Sequence, residues 1–211
     1  MYLKSLLGAG AILLLQGWTM GLALDLSGTT PGPFWATLIS STQYVSSYHY
    51  TGGAGSPITF LSGDAAVSLG YTRREQSDCV VGNLDREVIG ARYGIAMVTN
   101  GQPIHVVTRR GVITGEVTSV VINNSSPYFR HNVALYGGDS GGPTFDSSGN
   151  LVGTHHFSCG GNCGGDVLLG PLFGFGPPVD TNVVVIVTPP PATSPTAPHI
   201  PTWQDVEMFL R

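Results

Sequence analysis

The sequence predicts an all-β protein, and three observations carry that prediction. Thirty glycines are spread through 211 residues together with many valines and threonines, the composition of short strands joined by tight turns. Turn signals recur about every eight to twelve residues. No stretch before residue 200 sustains a helical period, so nothing competes with a strand-rich reading.

Taken in order, the chain opens on a secretory signal. Lys4 supplies a positive start, residues 5–15 are apolar, and Gly21-Leu22-Ala23 has the small residues that a signal peptidase needs. Gln16 and Gly17 interrupt the apolar run, leaving it short for a membrane span. The expectation is a secreted protein that loses residues 1–23 and has no membrane association afterwards. Residues 24–187 then form the folded domain, with strands predicted at 93–98, 104–108, 117–122, 151–157, 167–172 and 183–187. Residues 188–211 read as a Pro/Thr-rich linker and a tail, because proline cannot donate to a sheet ladder.

Charge and cysteine usage narrow the partners. Only 10% of the chain is charged, the formal net charge is −4, and no basic cluster exceeds Arg73-Arg74 or Arg109-Arg110. That distribution argues against nucleic acid. Three cysteines are an odd count for an exported chain. Cys159 and Cys163 are close enough for a small disulfide loop, which leaves Cys79 alone. The group His155, His156, Cys159 and Cys163 invites a zinc site. Successive strand residues point to opposite faces, however, so only one of the two histidines can join the thiolates, and the set falls short of four ligands. No metal and no cofactor is expected. Asn123-Asn124-Ser125-Ser126 contains two overlapping glycosylation sequons.

The most informative segment is Gly137-Gly138-Asp139-Ser140-Gly141-Gly142-Pro143. A serine hydroxyl is a poor nucleophile until a base removes its proton and donors receive the resulting oxyanion. Ser140 between Asp139 and two glycines suits that chemistry. Gly138 leaves its N–H uncovered, and the N–H groups of Gly138 and Ser140 can point at one oxyanion. A plain Gly-Asp-Ser-Gly hairpin turn uses the same residue types but does not need this order across seven positions.

Gly-Asp-Ser-Gly-Gly-Pro resembles the nucleophile segment of the chymotrypsin-like serine proteases. The following Thr144-Phe145, the turn over residues 146–150, and Leu151-Val152-Gly153-Thr154-His155-His156-Phe157-Ser158 are similar to that family's hairpin and pocket-lining strand. Residues 109–117 look like the opening strand pair of the second barrel in its short, streptogrisin-like branch. The resemblance runs from about residue 64 to about residue 175. It implies two antiparallel β-barrels, one over 24–100 and one over 101–187, and a monomeric endopeptidase acting on polypeptides and open to protein inhibitors. The first barrel is expected to be incomplete, because little chain precedes its histidine.

The resemblance also implies an aspartate ahead of an apolar strand, holding a histidine in its working tautomer. Gly63-Asp64-Ala65-Ala66-Val67-Ser68-Leu69 fits, and Asp64 is preferred over Asp78 and Asp85, which no comparable alternating strand follows. In chain order the histidine must be His49. The family's Thr-Ala-Ala-His-Cys string is absent, and His49 stands close ahead of Asp64 in Val45-Ser46-Ser47-Tyr48-His49-Tyr50. Two readings stay open: His49 is the base, or the chain lacks one and only binds peptides. The specificity pocket is expected to use Ala134, His155, Phe157 and Ser158. Ala134 replaces the aspartate that would attract a basic side chain, and His155 suggests a preference for acidic ones.

Overall fold

The computed structural model describes residues 23–31, 35–74, 76–122 and 126–174. The signal segment up to Leu22, the sequon residues 123–125, the strand expected at 183–187 and the linker and tail lie outside the described residues.

Among the described residues, eleven strands make two antiparallel systems. The first is a five-stranded sheet in the order β1-β2-β5-β4-β3, built from β1 (Thr37–Leu38), β2 (Gln43–Ser47), β3 (Pro57–Thr59), β4 (Ala65–Arg73) and β5 (Cys79–Leu84). The second is a closed barrel in the order β10-β11-β8-β7-β6-β9. Its strands are β6 (Pro103–Thr108), β7 (Gly111–Val121), β8 (Tyr128–His131), β9 (Pro143–Asp146), β10 (Leu151–Ser158) and β11 (Gly164–Leu168). A closed barrel leaves no unpaired edge, whereas the first sheet stays open. The expected incompleteness of the first half therefore shows as an open half-barrel whose edge strand β1 has two residues.

Strand alternation divides the core into three. Ile104 and Val106 of β6 point into the closed barrel with Val117, Phe129, Leu135, Val152 and Leu168. Leu38, Tyr44, Ile58, Phe60 and Leu84 fill the first sheet. Residues of opposite parity form a seam between the halves, where Trp35, Val45, Cys79 and Val81 meet Val107, Phe145, Leu151, Val167 and Leu169. Each such side chain contributes roughly 1.5–3 kcal/mol by leaving water, so the seam fixes the halves against one another. The Ser140 loop and the Asp78 carboxylate considered below are each bonded across this seam.

Two predicted strands change form. Residues 93–98 make only a single bridge, Ile95 to Leu151, although Tyr93 and Val98 are buried. The expected strand 167–172 ends at Leu168, and one helical turn, α1 (Leu169–Leu172), follows. Pro171 accounts for the stop, since it has no N–H for a ladder.

Candidate active site

The Ser140 segment is clamped from both halves. Buried Asp139 receives the N–H groups of Arg109 and Tyr136, each at 2.9 Å, and its carbonyl receives the N–H of Gly142. From the first half, Trp35 Nε1 donates to the Gly138 carbonyl at 2.9 Å. The Trp35 carbonyl in turn accepts from Ser46 Oγ at 2.5 Å. Strand β10 borders the other side, with Gly141 N–H donating to the His155 carbonyl and His155 N–H to the Gly142 carbonyl. Gly138 and Gly141 have φ of +91° and +80°, a region that side chains disfavour. A Cβ on Gly141 would stand 3.0 Å from Ser46 Oγ and 3.1 Å from Ser47 N. The glycines thus let the Ser140 loop close onto the end of β2. Among the described residues, the N–H groups of Gly138 and Ser140 donate to no protein acceptor.

The end of β2 delivers His49. The strand stops at Ser47 and a single 3₁₀ turn, Tyr48–Tyr50, follows. The register of β2 on β5 pairs Ser47 with Cys79, so the residue before β5, Asp78, lies opposite that turn. Its carbonyl accepts from Tyr48 N–H at 2.7 Å. Asp78 Oδ1 accepts from His49 N–H at 2.9 Å, and Oδ2 faces His49 Nδ1 at 2.5 Å. His156 Nδ1 reaches the same Oδ2 at 2.9 Å. Burial opposes charge on Asp78, but hydrogen bonds from His156 and His49 hold its carboxyl down at about 2. An ionised carboxylate only accepts. His49 must therefore donate to it through Nδ1–H.

This arrangement corrects the expected pairing of His49 with Asp64. Asp64 sits in the β3–β4 turn, where its carboxylate takes Arg86 Nη2, the N–H of Ile89 at 2.7 Å and that of Ala65 at 2.9 Å. Its carboxyl is lowered by hydrogen bonds from Arg86 and then Ile89. These are turn and surface contacts, and none involves His49. From the sequence, Asp78 ranks below Asp64, and His156 reads only as a zinc ligand and strand residue. No hydrogen bond joins Ser140 to His49 in this structure. Such contacts often tighten only with substrate.

The pocket residues separate. Ala134 is half-buried, and its carbonyl accepts from Arg110 Nη2 at 2.6 Å. Ser158 is exposed at the end of β10. Phe157 lies across Gly165, where a Cβ would stand 2.1 Å from its ring, and edge-on to Tyr128. His155 is not a pocket residue. It is 1% exposed, with Nδ1 on Asp166 Oδ1 at 3.0 Å and Nε2 on the Val107 carbonyl at 2.8 Å. Both partners accept, so both ring nitrogens donate and the ring is a cation with no donor left for a substrate. Burial opposes that charge, but Asp166 and the Val107 carbonyl push the ring's pKa up.

A second histidine, His131, joins this inner group through Nε2, 3.3 Å from Asp166 Oδ1. Its Nδ1 accepts from Val133 N–H at 3.3 Å, which makes it the neutral Nε2–H tautomer. Burial disfavours the Asp166 charge, yet His155 and His131 hold its carboxyl well below the usual range. Either histidine set, His49/Asp78/His156 or His131/His155/Asp166, offers donor atoms within 4.8 Å of one another, and hydrogen bonds already account for both. The zinc group considered from the sequence is not assembled. Cys159 and Cys163 form a disulfide, and the two histidines turn to different aspartates. Cys79 is free and buried, with its thiol pushed up to about 12 by burial.

No protein-family model matches the chain, and no curated protein matches it either. Solved structures do. The HtrA-type protease AlgW with a tripeptide has a TM-score of 0.58 at 16% identity, covering 72% of this chain and 60% of AlgW. The apo MamO protease domain from Magnetospirillum magneticum has a TM-score of 0.56 at 14% identity, covering 72% of this chain and 97% of that one. The Rv3671c protease of M. tuberculosis H37Rv, in an inactive form, has a TM-score of 0.53 at 12% identity, with coverage of 67% and 80%. These neighbours give no support to the streptogrisin-like branch. An open β-sheet joined to a closed barrel, with a Gly-Asp-Ser-Gly loop at their seam, is the chymotrypsin-like double β-barrel fold of these serine proteases.

Proposed function

We propose that the protein is a secreted serine endopeptidase in which Ser140, His49 and Asp78 act together. The observation that carries this reading is the two-point attachment of His49 to a buried, ionised Asp78, beside the point where the Ser140 loop meets β2. Ser140 Oγ attacks the substrate carbonyl while His49 Nε2 takes its proton. The tetrahedral oxyanion rests on the N–H groups of Gly138 and Ser140. His49 then gives the proton to the departing amine, and water hydrolyses the acyl-enzyme by the same steps in reverse order. Asp78 keeps the imidazole in the Nδ1–H tautomer and offsets its charge in the transition state.

A polypeptide substrate is supported by solved structures of AlgW that carry a tripeptide or a decapeptide. The residues expected to meet a substrate side chain, Ala134, Phe157 and Ser158, include no carboxylate. The reading therefore favours small or apolar side chains over basic ones. The acidic preference suggested by His155 is dropped, since both its nitrogens are committed. Export is supported by the signal-like start and by the Cys159–Cys163 disulfide, a bond that persists in oxidising compartments.

Labelling with a fluorophosphonate, alongside hydrolysis of a peptide panel, tests the reading. Wild type should label at Ser140 and cleave, and Ser140→Ala should do neither. A folded wild type that neither labels nor cleaves would overturn it.

A further inference from the structure

Asp78 carries one more histidine than the proposed chemistry requires. His156 Nδ1 lies 2.9 Å from Asp78 Oδ2, the oxygen that also faces His49 Nδ1. The two rings stand 6.2 Å apart at 63°, and the edge of Phe157 packs against His156 at 5.6 Å. The backbone explains how His156 gets there. Strands β10 and β11 pair His155 with Asp166 and then Phe157 with Gly165, so His156 is the extra residue of a β-bulge. A bulge bends its strand and re-aims a side chain. Here His155 turns into the barrel and His156 turns across the seam to an aspartate of the other half.

We propose that His156 is a positioning residue that holds Asp78 in line with His49. This inference rests on the reading of Ser140 and His49 given above. Asp78 Oδ1 is taken by the N–H of His49, and Oδ2 lies between the two imidazoles. With the carboxylate ionised, both Nδ1 atoms donate to Oδ2. Two donors on one oxygen fix the carboxylate plane, and that plane fixes the imidazole of His49. Removing the His156 donor leaves a buried carboxylate oxygen with one partner and a softer orientation. The same strand segment binds Gly141 and Gly142 through the backbone of His155. β10 therefore holds the nucleophile loop and the carboxylate on adjacent residues, which couples their positions. His156 touches no reacting atom, so its effect passes entirely through Asp78.

The test compares His156→Phe, which keeps a ring and removes the donor, with His156→Asn, which keeps an amide N–H near the place of Nδ1. In His156→Phe, kcat should fall about tenfold to a hundredfold, the range for losing a hydrogen bond to a charged group, with KM changed less than twofold. His156→Asn should recover most of that loss. The proton NMR spectrum gives a readout that does not depend on turnover. The low-field Nδ1–H signal of His49 should weaken or move in His156→Phe and persist in His156→Asn. A His156→Phe protein with wild-type kcat and an unchanged His49 signal would overturn the proposal. If wild type fails to label at Ser140, the peptidase reading falls, and the His49 signal still decides whether His156 holds Asp78.

Discussion

Two aspartates in this molecule each hold two histidines, and the difference between them is access to water. Asp78 lies at the seam between the halves, with the side chains of His49 and His156 25% and 27% exposed. Asp166 lies inside the closed barrel, with His131 and His155 sealed beside it at 0% and 1%. In the outer group each imidazole meets the aspartate through Nδ1. In the inner group His155 spends its second nitrogen on the Val107 carbonyl and His131 spends its own on the Val133 N–H. The same residue types therefore stand at a water-accessible seam in one place and in a sealed ion cluster in the other. Exposure to water separates the two groups better than composition does.

The largest expected effect falls on the outer group. His49→Ala should lower kcat/KM by about a thousandfold or more, because members of such a triad act as a unit. The melting temperature should stay within a few degrees. Peptide hydrolysis and thermal unfolding measured on one preparation check both halves of that statement. A large loss of stability with turnover preserved would erase the contrast between the two clusters.

The inner group should show the reverse. Asp166→Asn removes the counter-charge of a buried imidazolium, and breaking a buried pair costs about 3–5 kcal/mol. Denaturant unfolding reads this directly as a lower midpoint. Turnover per folded molecule should remain close to wild type. An Asp166→Asn variant that keeps its stability would mean that His155 is neutral in the folded protein.

A smaller effect sharpens the comparison through pH. The Asp166 carboxyl is lowered by folding, so its contribution is complete above the unfolded carboxylate value, about 3.9, and is lost as pH falls through its folded value. Asp78 behaves in the same sense, and its loss centres at about 2. His155 is raised by folding, so its contribution is complete below the unfolded imidazole value, about 6.5, and is lost as pH rises through its folded value. Stability should therefore peak between about pH 4 and 6.5 and decline on both sides. In Asp166→Asn the alkaline decline should flatten, since the charged state of His155 has lost its partner. Denaturant midpoints across pH 3 to 9 for both proteins test this.

The two halves also differed in how far their sequence revealed them. The Ser140 loop was legible because its order of acid, serine and glycines is more than a plain turn needs, and Gly138 and Gly141 do occupy the left-handed region. Strands β6 and β10 were legible from their β-branched and alternating residues. Asp78 was hidden by the very feature that makes it useful. β5 lies between β2 and β4 and is buried on both faces, with only Asn83 exposed, so Cys79-Val80-Val81 shows no alternation. β4 has an exposed face and a mixed pattern, which made Asp64 look like the acid ahead of a strand. His155 and His156 were expected on opposite faces, and they do diverge. Their partners, Asp166 and Asp78, are brought to them by strand pairing, a bulge and the seam, none of which local periodicity encodes. His49 was placed by chain order alone, and its carboxylate became visible only once β2 and β5 were in register.

The central claim is that Asp78, and not Asp64, orients His49 for Ser140. The rate of fluorophosphonate labelling at Ser140, measured side by side for wild type, Asp78→Asn and Asp64→Asn, tests it most directly. The geometry predicts that Asp78→Asn slows labelling by about a thousandfold or more, since an amide can hold the wrong imidazole tautomer. Asp64→Asn should stay within about twofold of wild type, because Asp64 meets only Arg86 and turn amides. Slow labelling in Asp64→Asn with wild-type labelling in Asp78→Asn would contradict the account.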